Sequence, residues 1–151
     1  MQIQPADSGH LAPIRQLLSA SGLPVEDLTA SHLAHFFVAR AENELVGTVG
    51  AELYGDVGLL RSLAVAPDHR GEGLGTRLTE VIEQYARQEG VTILCLLTTT
   101  AADYFERHGY RRIEREALPA AIQATNEAAE LCPSSATCMQ KRIGTDSETP
   151  S

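Results

Sequence analysis

The segment Arg70-Gly71-Glu72-Gly73-Leu74-Gly75-Thr76 places three glycines at alternate positions directly ahead of a helical apolar period. Glycines let a backbone approach a ligand with no Cβ in the way. The unpaired N–H groups of a helix's first turn, at the positive end of its dipole, suit a pyrophosphate. Two familiar phosphate loops do not fit. No lysine follows the glycines as a P-loop requires, and a G-x-G-x-x-G fingerprint counted from Gly71 ends on Thr76. A tight strand-to-helix turn with no ligand is the plain alternative, but glycines weaken a helix start and make it costly. Arg61 also stands out, because it sits between Leu60 and Leu63 in an apolar run where an unpaired charge is expensive. A guanidinium there either clamps a carboxylate bidentately or closes an internal salt bridge, for which Glu52 is the candidate partner.

The elements that must position these residues follow from periodicity. Met1 to Pro5 reads as a strand, and Ser8 caps a helix with Leu11, Ile14, Leu17 and Leu18 on its apolar face, stopped by Gly22 and Pro24. A second helix spans about Glu26 to His35, with Leu28 and Leu33 apolar. Strands over Phe36 to Ala41 and Leu45 to Tyr54 flank the turn Glu42-Asn43-Glu44, and Leu59 to Val65 follows the turn Gly55-Asp56. The order then changes to strand, helix, strand. A helix opens at Gly71 to Gly75 and runs to about Glu89 on Leu74, Leu78, Ile82 and Tyr85, and Gly90 ends it. Val91 to Leu97 reads as a buried strand parallel to the earlier one. Ala101 to His108 is a short helix stopped by Gly109, Tyr110 to Glu114 a strand, Pro119 a helix start, and Ala136 to Ile143 a last strand. Residues 1–143 are expected to form one domain, with a disordered tail over 144–151.

Composition narrows the function classes. Hydrophobic residues make up 43% and charged residues 21%, with a formal net charge of −8 and Lys141 the only lysine among twelve basic residues. Such a surface does not displace the counterions of nucleic acid and does not suit anionic membranes, so neither is an expected partner. The start MQIQPADSGH lacks the basic and apolar regions of a secretory signal, and the longest apolar run, Ile93 to Leu97, is too short to span a bilayer. Cys95, Cys132 and Cys138 are an odd number without C-x-x-C spacing, which points to free thiols in a reducing cytoplasm. Cys95 and Cys138 read as small core residues. Cys132, beside Pro133 in a loop, is placed to line an acceptor pocket. The histidines are scattered and no metal is expected.

Arg70-x-x-Gly73-x-Gly75 matches the R/Q-x-x-G-x-G/A motif of the GNAT N-acetyltransferase superfamily, and Leu63-Ala64-Val65 with Pro67 resembles its cofactor strand. The later Ala101-x-x-Tyr104-Phe105-x-x-x-Gly109-Tyr110 resembles its A-x-x-F-Y-x-x-x-G-F element. The resemblance runs from Ile3 to Ile143. It implies a mixed, largely antiparallel central sheet with helices on both faces, and a splayed strand pair, near Val65 and Leu97, that admits acetyl-CoA. It also implies that the backbone of Leu63, Ala64 and Val65 holds the pantetheine arm, and that Arg70, Gly71, Glu72, Gly73, Leu74, Gly75 and Thr76 hold the pyrophosphate. A closer resemblance, over Leu60 to Val65, Leu97 to Ala101, Pro119-x-x-Ile122-x-x-Thr125 and Leu131-Cys132-Pro133-x-x-Ala136-x-x-Met139, is to acetyltransferases associated with arsenic-resistance gene clusters.

The chain departs from the family where a tyrosine often protonates the departing thiolate. That position is Phe105, which is left to pack on the pantetheine, while Tyr104 sits one residue earlier and about 100° round the helix. Either Tyr104 or water is then the proton donor, and Tyr104 reads equally as a packing residue. Thr98 stands where an asparagine often binds the cofactor, and its hydroxyl can still do so. The amine must lose a proton before it attacks the thioester, and Glu52 is the preferred carboxylate, although an exposed strand face explains that residue as well. A strand N–H near Val65 is placed to stabilise the oxyanion. The expected activity is transfer of an acetyl group from acetyl-CoA to the primary amine of a small molecule, its carboxylate read by Arg61, with a role in arsenic or toxic amino-acid resistance. An acetyl-CoA-binding module without turnover, and a peptide or protein N-acetyltransferase, are the alternatives, and a homodimer stays open.

Overall fold

A computed structural model of the chain describes residues 2–23, 25, 28–99, 101–125 and 136–144. Hydrogen bonding joins seven strands in the order β1-β2-β3-β4-β5-β7-β6. Backbone contacts divide the chain into two units, Met1–Glu52 with Leu60–Ile82, and Leu53–Leu59 with Glu83–Ser151.

In the first unit, β1 (Gln2–Pro5), β2 (Phe36–Ala41) and β3 (Glu44–Tyr54) pair antiparallel in sequence, as the polar turn and alternating apolar residues predict. α1 (Leu11–Ala20) lays Ile14 and Leu18 on Phe36 and Val38 of β2, with Leu28, Leu33 and Ala64 completing the cluster. Each such side chain taken from water contributes about 1.5–3 kcal/mol. Gly50 makes room for this face, since a Cβ there would stand 2.2 Å from the Phe36 ring. The other face of β2 and β3 carries α2 (Leu74–Gln88). A Cβ on Gly47 would lie 3.0 Å from Leu78 and 3.2 Å from Leu74, beside Ala39. Within this unit, helices therefore cover both sheet faces.

Three expectations change in detail. Asp7, not Ser8, makes the first cap: its carboxylate accepts the Gly9 N–H at 2.9 Å and its own N–H donates to His10 Nδ1 at 3.0 Å, so a 3-10 turn over Ser8–His10 precedes α1. The expected helix to His35 is a 3-10 turn over Ala30–His35, with Leu28 and Leu33 buried as predicted; Pro24, Glu26 and Asp27 lie outside the described residues. α2 begins at Leu74 rather than Gly71, because Gly71 and Gly73 hold φ of +85° and +80°, outside the helical region.

In the second unit, β4 (Val57–Val65) contributes its first residues to a parallel ladder with β5 (Ile93–Thr98): Val57 with Ile93, Gly58 with Leu94 and Leu59 with Cys95. The ladder ends there, while β4 continues to Val65 and β5 to Thr98. α3 (Ala102–Arg107), β6 (Arg111–Ile113) and α4 (Ala120–Gln123, behind Pro119) follow, and β7 (Thr137–Arg142) pairs antiparallel with both β5 and β6. Leu59, Cys95, Leu97, Leu118, Ile122 and Cys138 form the core here. A buried polar cluster stands beside it. Tyr110 donates its hydroxyl to Glu83 Oε2 at 2.9 Å, and Lys141 Nζ lies 3.1 Å from both Glu83 oxygens and 5.5 Å above the Tyr110 ring. Burial, then the Glu83 charge, raises the Tyr110 phenol well above its ordinary value. Gly144, the first residue of the expected tail, donates its N–H to Thr92 O at 3.1 Å, and a Cβ there would meet Thr92 at 2.7 Å. The rest of that tail lies outside the described residues. Among the described residues, no helix is long and apolar enough to cross a membrane.

Candidate functional site

The first unit gathers the residues that the sequence singles out for phosphate and charge. After Val65, Ala66 N–H donates to Val46 O at 2.8 Å and closes β4 onto β3. A 3-10 turn at Pro67–His69 then leads into the glycine loop. Arg70 reaches back, with Nε donating to Val65 O at 3.0 Å, which ties the loop to the strand end. No atom lies within 4 Å of where a Cβ on Gly71 or Gly73 would stand, so the loop backbone is open to a ligand. The bonding of α2 begins with Arg77 N–H to Gly73 O at 3.1 Å, leaving the preceding amides as first-turn donors. Glu72 Oε1 lies 3.3 Å from His69 Nδ1, which draws its carboxylate toward an imidazole. An open backbone, helix-start donors and an adjacent arginine fit a pyrophosphate. Thr76 and Gly75 lie half-buried in the first turn, and Leu74 is buried.

On β4 itself, Leu63 and Val65 are half-buried while Ala64 joins the α1 cluster. Just before them, Ser62 holds φ of +62° in the middle of a strand, a conformation that costs about 1–3 kcal/mol for a non-glycine residue. Arg61 Nε donates to Ser62 Oγ at 3.0 Å and Arg61 Nη1 to Glu52 Oε2 at 2.7 Å. The Arg61 side chain is 0% exposed and that of Glu52 12%, so this is a near-buried ion pair. Of the two roles open for Arg61 in the sequence, the internal salt bridge to Glu52 is what the geometry holds. His32 also approaches this pair, with Nε2 3.8 Å from Glu52 Oε2. The sequence does not single out Ser62 or His32. A polar Arg-Ser step inside an apolar strand is the usable signal for the first, since irregular strands interrupt apolar runs.

A family model described as an acetyltransferase (GNAT) domain matches residues 32–112, more than half of the chain. The chain belongs to the GNAT acetyltransferase family. This GNAT chain is an acyltransferase. It is 31% identical to an uncharacterised N-acetyltransferase of Chlorobaculum tepidum over 78% of this chain and 77% of that one. It is 34% identical to an amino-acid acetyltransferase of Pseudomonas fluorescens, over 76% of this chain but only 28% of the longer relative. N-acetylglutamate synthase from Neisseria gonorrhoeae, solved with coenzyme A and N-acetyl-glutamate, shares the fold at a TM-score of 0.82 and 23% identity. The alignment covers 94% of this chain and 35% of that protein. The GNAT chain thus spans about a third or less of these two amino-acid-related relatives.

In the second unit of this GNAT enzyme, the residues expected near the thioester are engaged as follows. Thr98 Oγ1 accepts the Ala101 N–H at 3.0 Å, just ahead of α3. Phe105 is 5% exposed, its ring edge-on to Tyr104 at 5.0 Å and to Tyr110 at 5.5 Å. Tyr104 is half-buried and lies 4.3 Å from the His108 ring, whose Nδ1 donates to Tyr104 O at 2.9 Å. Cys132 lies outside the described residues. Among the described residues, no group of three or more His, Cys, Asp or Glu could hold a metal ion.

Cys95 and Cys138 are buried core residues, as their strand positions predict. Burial, then the neighbouring Cys138, pushes the Cys95 thiol up to about 11, and burial raises Cys138 as well. A raised pKa disfavours the reactive thiolate in both. Iodoacetamide at pH 7.5 is therefore expected to leave the peptides carrying Cys95 and Cys138 unmodified in the native protein. Both should be labelled fully in denaturant, as read by peptide mass spectrometry. Rapid native labelling of either would show that its side of the core opens.

Proposed function

We propose that this acetyltransferase moves the acetyl group of acetyl-CoA to the amino group of a small, amino-acid-like molecule, with Glu52 taking the amine's proton. The observation that carries the reading is that β4 joins an anion-ready glycine loop at one end to a near-buried Arg61–Glu52 pair, Nη1 to Oε2 2.7 Å, within one compact unit. Gly71, Gly73 and the first turn of α2 would hold the pyrophosphate, with Arg70, Glu72, Gly75 and Thr76 around it and Leu63 to Val65 along the pantetheine arm. Acetyl-CoA, when bound, supplies the activated carbonyl.

The chain's own residues then act on the acceptor. Glu52 removes one proton from the ammonium and so frees the lone pair that attacks the carbonyl. The Arg61 guanidinium holds that carboxylate in one orientation. Ala66 N–H is committed to Val46 O, so the oxyanion donor is another amide of β4 near Val65. Tyr104 or water returns a proton to the thiolate. Support for an amino-acid-like acceptor comes from the Pseudomonas relative, an amino-acid acetyltransferase at 34% identity. The likeness to arsenic-resistance acetyltransferases adds a toxic amino-acid analogue as one candidate.

A panel of amino acids, their amides and short peptides, with acetyl-CoA and a thiol reagent, tests this. Free amino acids should release CoA and gain one acetyl group by mass spectrometry, and blocking the acceptor's carboxylate should raise KM. Tight acetyl-CoA binding with no release across the panel would make the chain a binding module. Preference for peptides would make it a peptide acetyltransferase. Arg61→Lys, which loses the planar fork, separates orientation of Glu52 from a direct clamp. A fall in kcat with acceptor KM unchanged supports orientation.

A further inference from the structure

His32 sits in the 3-10 turn Ala30–His35, and two contacts define its ring. Thr29 N–H donates to Nδ1 at 3.1 Å, with Thr29 Oγ1 at the same distance from that nitrogen. A ring nitrogen that accepts an N–H carries no proton, so the proton of the neutral imidazole is on Nε2. Nε2 is the atom that faces the ion pair, 3.8 Å from Glu52 Oε2, the same oxygen that Arg61 Nη1 holds at 2.7 Å. The side chains step outward, from Arg61 at 0% exposed through Glu52 at 12% to His32 at 25%.

We propose that His32 is a positioning residue that, together with Arg61, orients the Glu52 carboxylate for taking the acceptor's proton; the assignment rests on the reading of Glu52 as the base. At 3.8 Å the approach is longer than a hydrogen bond, and a shift of about 1 Å closes it to the usual 2.9 Å. Side-chain contacts of this kind commonly tighten only once substrate is bound. The ring acts as donor and keeps its Nε2 proton throughout, and the single proton that moves passes from the ammonium to Glu52.

His10 is an internal comparison. It makes the same cap, Asp7 N–H to Nδ1 at 3.0 Å, yet the carboxylate beside it is 75% exposed and lies against Nδ1, not Nε2. Capping therefore accounts for the Nδ1 contact in both turns. The approach of Nε2 to a carboxylate that is itself paired with a buried arginine is particular to His32.

Two substitutions and a control separate capping from orientation. In His32→Gln the amide oxygen can accept the Thr29 N–H as in an ordinary capping box, and the amide nitrogen can donate to Glu52. His32→Met can neither accept nor donate and adds no charge beside Glu52, while His10→Met removes the same kind of cap away from that carboxylate. The expected result is a fall in kcat of roughly 10- to 100-fold in His32→Met, with rescue to within about 3-fold of wild type in His32→Gln and no fall in His10→Met. Acetyl-CoA affinity should be unchanged in all three. If His32→Met keeps wild-type kcat, or His10→Met loses as much, His32 only caps its turn and the assignment falls. It falls equally if Gln loses as much kcat as Met. Failure of the wild-type protein to acetylate any amine would instead remove the base reading of Glu52 and this assignment with it, and the wild-type arm alone reports that.

Discussion

Glu52→Leu is expected to lower both turnover and stability, and adding Arg61→Met to the same chain is expected to restore the stability alone. The Arg61 side chain is fully enclosed, and its Nη1 bond to Glu52 is 2.7 Å long. Removing the carboxylate leaves a guanidinium charge in the interior, a change that costs about 3–5 kcal/mol for a fully buried pair. The 12% exposure of Glu52 places the expected loss toward the lower end of that range. Replacing both partners with apolar side chains removes the uncompensated charge, and such exchanges are often neutral or stabilising. With Glu52 as the proposed base, turnover should depend on something the double variant still lacks. Loss of a general base typically costs about 10²- to 10⁴-fold, and that deficit should persist in Glu52→Leu/Arg61→Met at a recovered melting temperature. Denaturant melts and kcat on the best acceptor, measured on the wild type and the two variants, decide the matter. A double variant that regains both stability and turnover would leave Glu52 as a counter-ion and nothing more.

The second large effect concerns the glycine loop. Gly71→Ala/Gly73→Ala is expected to weaken acetyl-CoA binding by roughly 30- to 1,000-fold while the fold stays intact. Nothing stands within 4 Å of either added methyl, so no clash is created. The cost lies in the backbone, since φ of +85° and +80° costs an L-residue about 1–2 kcal/mol at each position. The loop then leaves the binding conformation, and each 1.4 kcal/mol is a factor of ten in affinity. Gly55→Ala is the control. Gly55 has φ of +71° and equally empty surroundings, but it lies in the turn between β3 and β4, so acetyl-CoA affinity should not change. Calorimetric titration of acetyl-CoA into the three proteins gives the comparison.

How far the sequence prefigures this site depends on the kind of interaction. The glycine loop is legible because its chemistry belongs to the backbone, and glycine is the one residue type whose identity reports φ directly. Arg61 is legible as an anomaly, since charge inside an apolar run demands a partner, and Glu52 is within reach as that partner. The pleat and the polar turns give β1 to β4, and the β-branched run gives β5 parallel to β4. What stays hidden is decided by single dihedrals and single ring nitrogens. Ser62 looks like any strand serine until its φ of +62° is known. His32 caps Thr29 through Nδ1, in a position where Glu or Gln is the recognisable signature, so its pattern passes unnoticed. Phe105 and Thr98 read as cofactor contacts from motif position. Their packing adds local partners, Tyr110 for the ring and Ala101 N–H for the hydroxyl, that only tertiary structure supplies.

The Glu83 cluster bears on how an acetyl donor treats its own protein. Acetyl-CoA acylates accessible lysine amines without assistance when they carry a lone pair, and arginine guanidiniums resist that reaction. Eleven of the twelve basic residues here are arginine, and the twelfth, Lys141, is the chain's one lysine. Its Nζ is held 3.1 Å from both Glu83 oxygens and lies 5.5 Å over the Tyr110 ring, so the group is engaged on two sides. The chain therefore presents a single lysine amine to an acyl donor, and that amine is already engaged in an ion pair. Self-acetylation at lysine is limited by composition and by a single buried carboxylate.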